Sequence, residues 1–446
     1  MLVEYPSLFT TPQRSYSRLT ADNRYSLART WGSISRPRAP IALFLLVRED
    51  RCVVGAEPSI ADAVRMKVER FYGIGHVGEG AWRALEPQDF PFFDFEFLRA
   101  LESSGSVGGA SGWSPVYLVC EGRGRLLGAL CLYLKTDSYG EYIFDWEWAR
   151  AYREHGLSYY PKLVAAVPFT PATGPKLLVR PDTDDDVRSA VTRALLDAAE
   201  ELGNELRVSS SHALFLPEGE LDEFARHGFA VRHSLQFHWR NRGYDAFSDY
   251  LGALEGKRRR QVARERRQLG GEGLAIERLT GEEISRDHAP LMHRFYLATL
   301  DGKWGVPYLN EAFFAEVFQT MGDHILLVLA RDEATRHPIA GALNFFKDQT
   351  LYGRYWGTVE TRRNLHFELC YYQAIEFAIE RRIALFEAGA QGEHKLARGF
   401  LPSLTYSAHS IRHPGFRRAI ERYIEEEKEM LAGAMAAYAR HDPYRH

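Results

Sequence analysis

Cysteine is scarce in this chain. The four residues, Cys52, Cys120, Cys131 and Cys370, show no CxxC spacing, so neither a structural zinc site nor a disulfide framework is supported and a reducing, cytoplasmic compartment is expected. No stretch of about 18 apolar residues occurs, and the longest candidate, positions 40–47, is far too short to cross a bilayer. An excess of one charge is also missing: 56 basic against 59 acidic residues leave a net charge of −3. That balance argues against a protein coated in nucleic acid but leaves room for local basic patches. Lysine supplies only nine of the basic residues, which weakens any argument from a single arginine. What is present is a chain of 446 residues, 45% hydrophobic and 13% aromatic. Such proportions bury large cores and exclude a disordered or collagen-like chain, and the length suits roughly three domains or two larger ones.

The first 65 residues read differently from the rest. From Met1 to Arg38 there are six arginines, many serines and threonines, and two acids, Glu4 and Asp22. The composition resembles a transit-type leader without its amphipathic period, so a poorly structured extension is expected over residues 1–65.

An internal match organises the remainder. Gly128-Ala129-Leu130 precedes Tyr139-Gly140-Glu141-Tyr142, and Gly341-Ala342-Leu343 precedes Tyr352-Gly353-Arg354-Tyr355 at the same spacing, both pairs offset by 213 residues. Each glycine closes a strand-like approach across a polar turn, which predicts a hairpin followed by a third strand bearing YGxY in each copy. Tyr142 and Tyr355 are then expected in equivalent places. An aromatic helix-like stretch precedes each hairpin, at residues 92–101 and 311–318. Val187, Val191, Leu195, Ala199 and Leu202 recur at helical spacing behind Asp184, Asp185 and Asp186. In the second copy Asn364 is expected to cap a helix carrying Phe367, Tyr371, Ala374, Ile375 and Ala378. Strands, a helix, a strand, a helix and a strand make an α+β unit, twice, and a long amphipathic helix closes the chain.

Four stretches carry a family resemblance: residues 138–153 (SYGEYIFDWEWARAYR), 159–178 (YYPKLVAAVPFTPATGPKLL), 365–381 (LHFELCYYQAIEFAIER) and 386–401 (FEAGAQGEHKLARGFL). Through them the chain resembles the peptidoglycan biosynthesis/recognition family of FemAB-like N-acyltransferases, within the GNAT superfamily, over about residues 70–440. The resemblance implies an α+β fold of tandem, duplicated acetyltransferase-like (GNAT-like) domains, expected at 66–241 and 271–446 with a basic connecting segment at 242–270. It implies acyl or aminoacyl transfer to an amine, with acyl-CoA or aminoacyl-tRNA as co-substrate rather than a permanently bound cofactor, and a small molecule or cell-wall precursor as acceptor. A non-catalytic protein that recognises peptidoglycan fragments is the alternative.

Acyl transfer to an amine needs a deprotonated nucleophile, oxyanion stabilisation and a proton for the leaving group. Glu368 stands one turn before Tyr372, so carboxylate and phenol can share a helix face. The loop from Gly389 to Gly399 holds three glycines with Gln391, Glu393, His394, Lys395 and Arg398, directly after an expected strand. Its backbone N–H groups, Lys395 and Arg398 suit an anion, with His394 or Glu393 as base. The loop is expected at the mouth of a cleft, with His394 and Lys395 facing Glu368 and Arg354; Tyr355 belongs to the same expected surface. In the first copy Glu141 and Asp145, beside Tyr139, either pair with arginines as structure or hold a substrate amine. Lys162, Thr170, Thr173 and Lys176 flank a proline-rich turn that can bind phosphate or serve only as a rigid corner. Arg260, Arg264 and Arg267 fall on one helical face of the strongest basic run and suit the phosphates of tRNA or a diphosphate-linked precursor. No aromatic residues interleave that run, so base-specific reading is not expected. No metal site is expected.

Overall fold

The computed structural model describes residues 66–301, 306–389 and 392–445. The extension at 1–65 and Gln391 lie outside the described residues, as does the side chain of Glu393. The first half runs β1 (Met66–Phe71), α1 (Phe95–Ser103), β2 (Trp113–Gly122), β3 (Arg125–Lys135), α2 (Trp146–Glu154), β4 (Lys162–Ala165), β5 (Leu177–Val179), α3 (Asp185–Glu205), β6 (Ser210–Leu216) and β7 (Ala230–Arg240). After α4 (Gly256–Leu269) the second half runs β8 (Leu274–Leu279), α5 (Ala289–Asp301), α6 (Glu311–Thr320), β9 (Ile325–Asp332), β10 (Pro338–Lys347), β11 (Thr350–Thr358), α7 (Gln373–Glu380), β12 (Leu385–Glu387), β13 (Leu401–Ile411) and α8 (Pro414–Ala439).

The fold is α+β and it is duplicated. The sheet order β1-β2-β3-β4-β6-β13-β7-β12-β11-β10-β9-β8 reads alike from either end. In each half a strand, a hairpin and a further antiparallel strand lead to one parallel pairing, β4 with β6 and β11 with β12. The two last strands are exchanged. β13 of the second half pairs with β6 of the first, and β7 of the first pairs with β12 of the second. One continuous sheet therefore joins the halves, with β13 and β7 paired at its centre.

Two expectations about the repeat are corrected. The YGxY of the first copy lies in a turn and bend at residues 139–143, with Tyr142 at φ 62°, whereas Tyr355 is on β11. The strand equivalent to β11 is β4, reached only after an insertion that carries α2. The Gly-Ala-Leu match also falls on opposite sheet faces. A Cβ at Gly128 would lie 2.5 Å from Val191 of α3, whereas one at Gly341 would lie 2.9 Å from Phe295 of α5. Leu130 accordingly packs with Leu195, and Leu343 with Phe295 and Phe313. The side-chain period of a strand is two, so equivalent positions cannot face opposite ways. The hairpins are duplicated; the tripeptide register is not.

Local chemistry explains the helices that position the site. Asp184 caps α3 by accepting from Val187 N at 2.8 Å, with Asp185 and Asp186 in the first turn. Asn364, by contrast, caps nothing through its side chain; it adopts φ 66° and donates to Gln268 Oε1 at 3.2 Å. Between the turn Leu365–Phe367 and α7 the chain forms a π-helical turn, Glu368–Tyr372. This widening buries both Tyr371 and Tyr372. Helices α1, α5 and α6 bury Phe97, Phe295 and Phe313 against one face of both half-sheets in a shared core.

Candidate active site

Strands β11 and β12 run parallel through Thr350↔Leu385, Leu351↔Phe386 and Tyr352↔Glu387; β12 then ends while β11 continues. Glu387 is the last residue of that pairing. Across β12, on β7, His238 is its register partner, and Gln236 follows two residues away on the same face. Glu387 is 4% exposed, accepts a hydrogen bond from Thr173 N at 3.1 Å, and has His238 Nε2 at 3.9 Å. Burial pushes its carboxyl up to about 7, although the Thr173 N–H, Lys176 and Arg354 all favour the anion. Burial drives His238 down to about 3, so its ring is neutral and Nε2 donates to Gln236 Oε1 at 3.1 Å. Gln236 in turn donates to Pro171 O at 3.1 Å.

Two cations complete this surround. Lys176 is fully enclosed, donates to Gly174 O and to Phe215 O at 3.0 Å, and is lowered to about 8 by burial. Arg354 donates to Phe169 O through Nη2, while its buried Nε has no acceptor among the described residues. Tyr355 reaches the same carbonyl at 3.4 Å. A carboxyl that titrates near neutrality beside an unspent guanidinium N–H can exchange a proton and stabilise a developing anion.

The loop residues after β12 have separate partners. His394 keeps much of its surface exposed, Nε2 meets Tyr371 OH at 2.9 Å, and partial burial of the ring, with Arg398 and Lys395 nearby, lowers it to about 4. Lys395 is buried, donates to Gly389 O at 2.8 Å, and is lowered to about 7 by burial. Glu368 is occupied by Arg266, whose Nε lies 3.1 Å from Oε1, and by Gln373 at 2.8 Å. Arg398 grips buried Glu265 through Nη2 at 2.9 Å to both oxygens and donates to Tyr372 OH at 3.0 Å. Tyr372 donates to Glu265, and burial raises its phenol far above the ordinary range. Arg398 and Tyr372 thus tie α4 to the wide turn.

The first half holds a second buried polar cluster. Lys162 donates to Ser138 Oγ at 2.9 Å, to Glu141 Oε2 at 2.8 Å and to Asp145 Oδ2. The cationic partner of both acids is therefore a lysine of the same chain. Tyr159 donates to Asp145 at 2.6 Å, and beyond it His212 on β6 and His409 on β13 meet Nδ1 to Nδ1 at 2.7 Å across the exchanged strands. Tyr139 is exposed, its ring against Trp146, and Thr170 donates to Pro168 O at 3.0 Å. On α4, Arg260, Arg264 and Arg267 are exposed, and Val262, Glu265 and Leu269 point inward.

A family model described as peptidoglycan biosynthesis/recognition, FemAB-like, matches residues 73–446. The chain belongs to the FemAB-like family. No curated protein matches its sequence. Among solved structures this FemAB-like chain is similar to FemX, at 12% identity and TM-score 0.48, covering 79% of this chain and 100% of that one. It is similar to a tandem GNAT protein from the clavulanic acid biosynthesis pathway, at 16% identity and TM-score 0.41, covering 78% and 99%. It is also similar to L-PGS from Bacillus licheniformis, at 10% identity and TM-score 0.44, covering 73% and 95%. Among the described residues of the FemAB-like chain, no helix is long and apolar enough to cross a membrane, and no group of three or more His, Cys, Asp or Glu side chains is placed to hold a metal ion. Sequence reasoning missed Glu387, His238, Gln236 and the His212–His409 pair. The available signal for Glu387 was a carboxylate between a buried strand and the glycine-rich loop.

Proposed function

We propose that this protein is an N-acyltransferase that moves an acyl or aminoacyl group from an activated donor, acyl-CoA or aminoacyl-tRNA, to an amine of a cell-wall precursor, with Glu387 as the proton acceptor. The observation that carries the reading is a buried carboxyl raised to about 7 at the point where the pairing of two parallel strands ends. The amine attacks the donor carbonyl, the new C–N bond forms, and Glu387 takes a proton from the attacking nitrogen. The Nε–H of Arg354, buried and without an acceptor among the described residues, faces the oxyanion; collapse breaks the bond to sulfur or ribose oxygen, and that leaving group takes the proton. His394, exposed and neutral at pH 7, is proposed to relay that proton, with Glu393 beside it in the chain, while Lys395 supports the donor end. Family membership supports the cell-wall acceptor. Mass spectrometry after incubation with a panel of acyl-CoAs, aminoacyl-tRNAs and an amine-bearing muropeptide tests this. A mass gain on the peptide is expected; binding without any gain would instead favour a recognition protein.

The exposed face of α4 suits a polyanionic donor. Arg260, Arg264 and Arg267 point outward and have no ion-pair partner among the described residues. Their triple alanine variant is expected to bind tRNA more weakly and to flatten its salt dependence by roughly one unit of slope per lost phosphate contact. An unchanged slope in a filter-binding titration returns this helix to a structural role.

A further inference from the structure

The place where β11 and β12 stop pairing has a counterpart in the first half, where β4 and β6 pair through Leu163↔Ser211, Val164↔His212 and Ala165↔Ala213. Beyond Ala165 that place is occupied by the chain itself. Residues 166–172 are buried; Gly174 N donates to Phe215 O at 3.2 Å, and Lys176 Nζ reaches the same carbonyl at 3.0 Å. A Cβ on Gly174 would stand 2.3 Å from the ring of Phe90, so the segment lies flush against the aromatic core.

The outward polar groups of this segment go to the second half and to β7, the strand of the first half that pairs with β12. Phe169 O accepts from Arg354, and Phe169 stacks on Tyr308 with ring centres 4.9 Å apart and planes 6° from parallel. Pro171 O accepts from Gln236, and Thr173 N donates to Glu387 Oε2 at 3.1 Å. That last bond joins residues 214 positions apart. A hydrogen bond given to a carboxylate favours its charged form and fixes the orientation of its oxygens.

We infer that Thr173 is a positioning residue for Glu387: the buried segment that follows β4 sets, through its backbone N–H, the orientation and ionisation of the carboxyl in the second half. This rests on the reading of Glu387 as proton acceptor. It adds that the acceptor is assembled from both halves, and that the loop of one half is part of the reaction centre of the other.

Infrared difference spectroscopy over a pH titration reads this without any substrate. The parent should show a protonated-carboxyl band, absent from Glu387→Gln, with a midpoint near pH 7. Thr173→Pro removes the N–H and should move that midpoint upward by about one pH unit, roughly tenfold in the ionisation equilibrium. An unmoved midpoint in a folded Thr173→Pro protein overturns the inference. Should that variant not fold, the bond is read from its other end by hydrogen exchange. The Thr173 amide should exchange at least about tenfold faster in Glu387→Leu, and at the parent rate in Glu387→Gln, which keeps an acceptor oxygen. Equal protection in both overturns it. Failure of the parent reading is separate: Glu387→Gln then transfers acyl groups at the parent rate, whatever the infrared midpoint does.

Discussion

Replacing Glu387 by glutamine should slow acyl transfer by ~10²–10⁴-fold and, in the same molecule, raise thermal stability above pH 7. The rate loss follows from removing the group that accepts the amine proton. The stability gain follows from burial. The folded protein holds the Glu387 proton up to about pH 7, against 4.5 for an ordinary glutamate. Folding is therefore favoured most below the ordinary glutamate range, and that contribution is lost as pH rises through about 7, where the folded state must carry a buried anion. The cost is of order 3–4 kcal/mol. Glutamine keeps the shape and an acceptor for the Thr173 N–H but never ionises. Melting curves should show the variant a few degrees more stable than the parent at pH 8 and equal to it at pH 5. The parent's kcat/KM should climb with pH below 7 and level above it. A variant that melts lower at both pH values would show that Glu387 is a structural anion, and the assignment of the proton acceptor would fall with it.

The contrast between loss of rate and gain of stability marks a group held in an unfavourable state for its chemistry. It also explains why the sequence hid this residue. Glu387 ends a three-residue strand, and nothing near it in sequence pairs with it. Its neighbours Thr173 and His238 arrive from the first half, on a loop and on an exchanged strand. Local spacing reports what a helix face or hairpin brings together, as it did for the capped helix α3 and for the outward face of Arg260, Arg264 and Arg267. It does not report which strand slides between two others. The same limit explains Glu368: its spacing to Tyr372 was legible, but its partner Arg266 comes from a helix 102 residues earlier. The duplication was legible as two hairpins. The YGxY match was misleading because the insertion carrying α2 displaces the equivalent strand, and a three-residue identity survives by chance more easily than a pairing register does.

The largest stability effect is expected in the first half, at Lys162. Its ammonium is fully buried and serves two carboxylates at once, Glu141 and Asp145, each at most a few per cent exposed. Burial alone would push both acids up. At Glu141 burial wins and the carboxyl reaches about 7, whereas at Asp145 Lys162 and His212 outweigh it and hold the group at about 2. Lys162→Met removes the only ammonium bonded to either acid among the described residues and leaves Glu141 Oε1 and Asp145 Oδ1, already without partners there, in a buried pocket of two acids. Breaking such a pair costs about 3–5 kcal/mol at pH 7. In the parent, Asp145 contributes stability that is present above pH 3.8 and lost as pH falls through about 2. In the variant both acids are free to take up protons, so the deficit should shrink markedly between pH 7 and pH 5. Adding Glu141→Gln and Asp145→Asn to Lys162→Met should restore most of the loss, since a neutral cluster has no charge to strand. Urea denaturation at the two pH values measures this directly. A deficit below about 1 kcal/mol at pH 7, or one equal at pH 5, would mean that water reaches the cluster and that the polar chain through Tyr159, His212 and His409 does not hold the exchanged strands together.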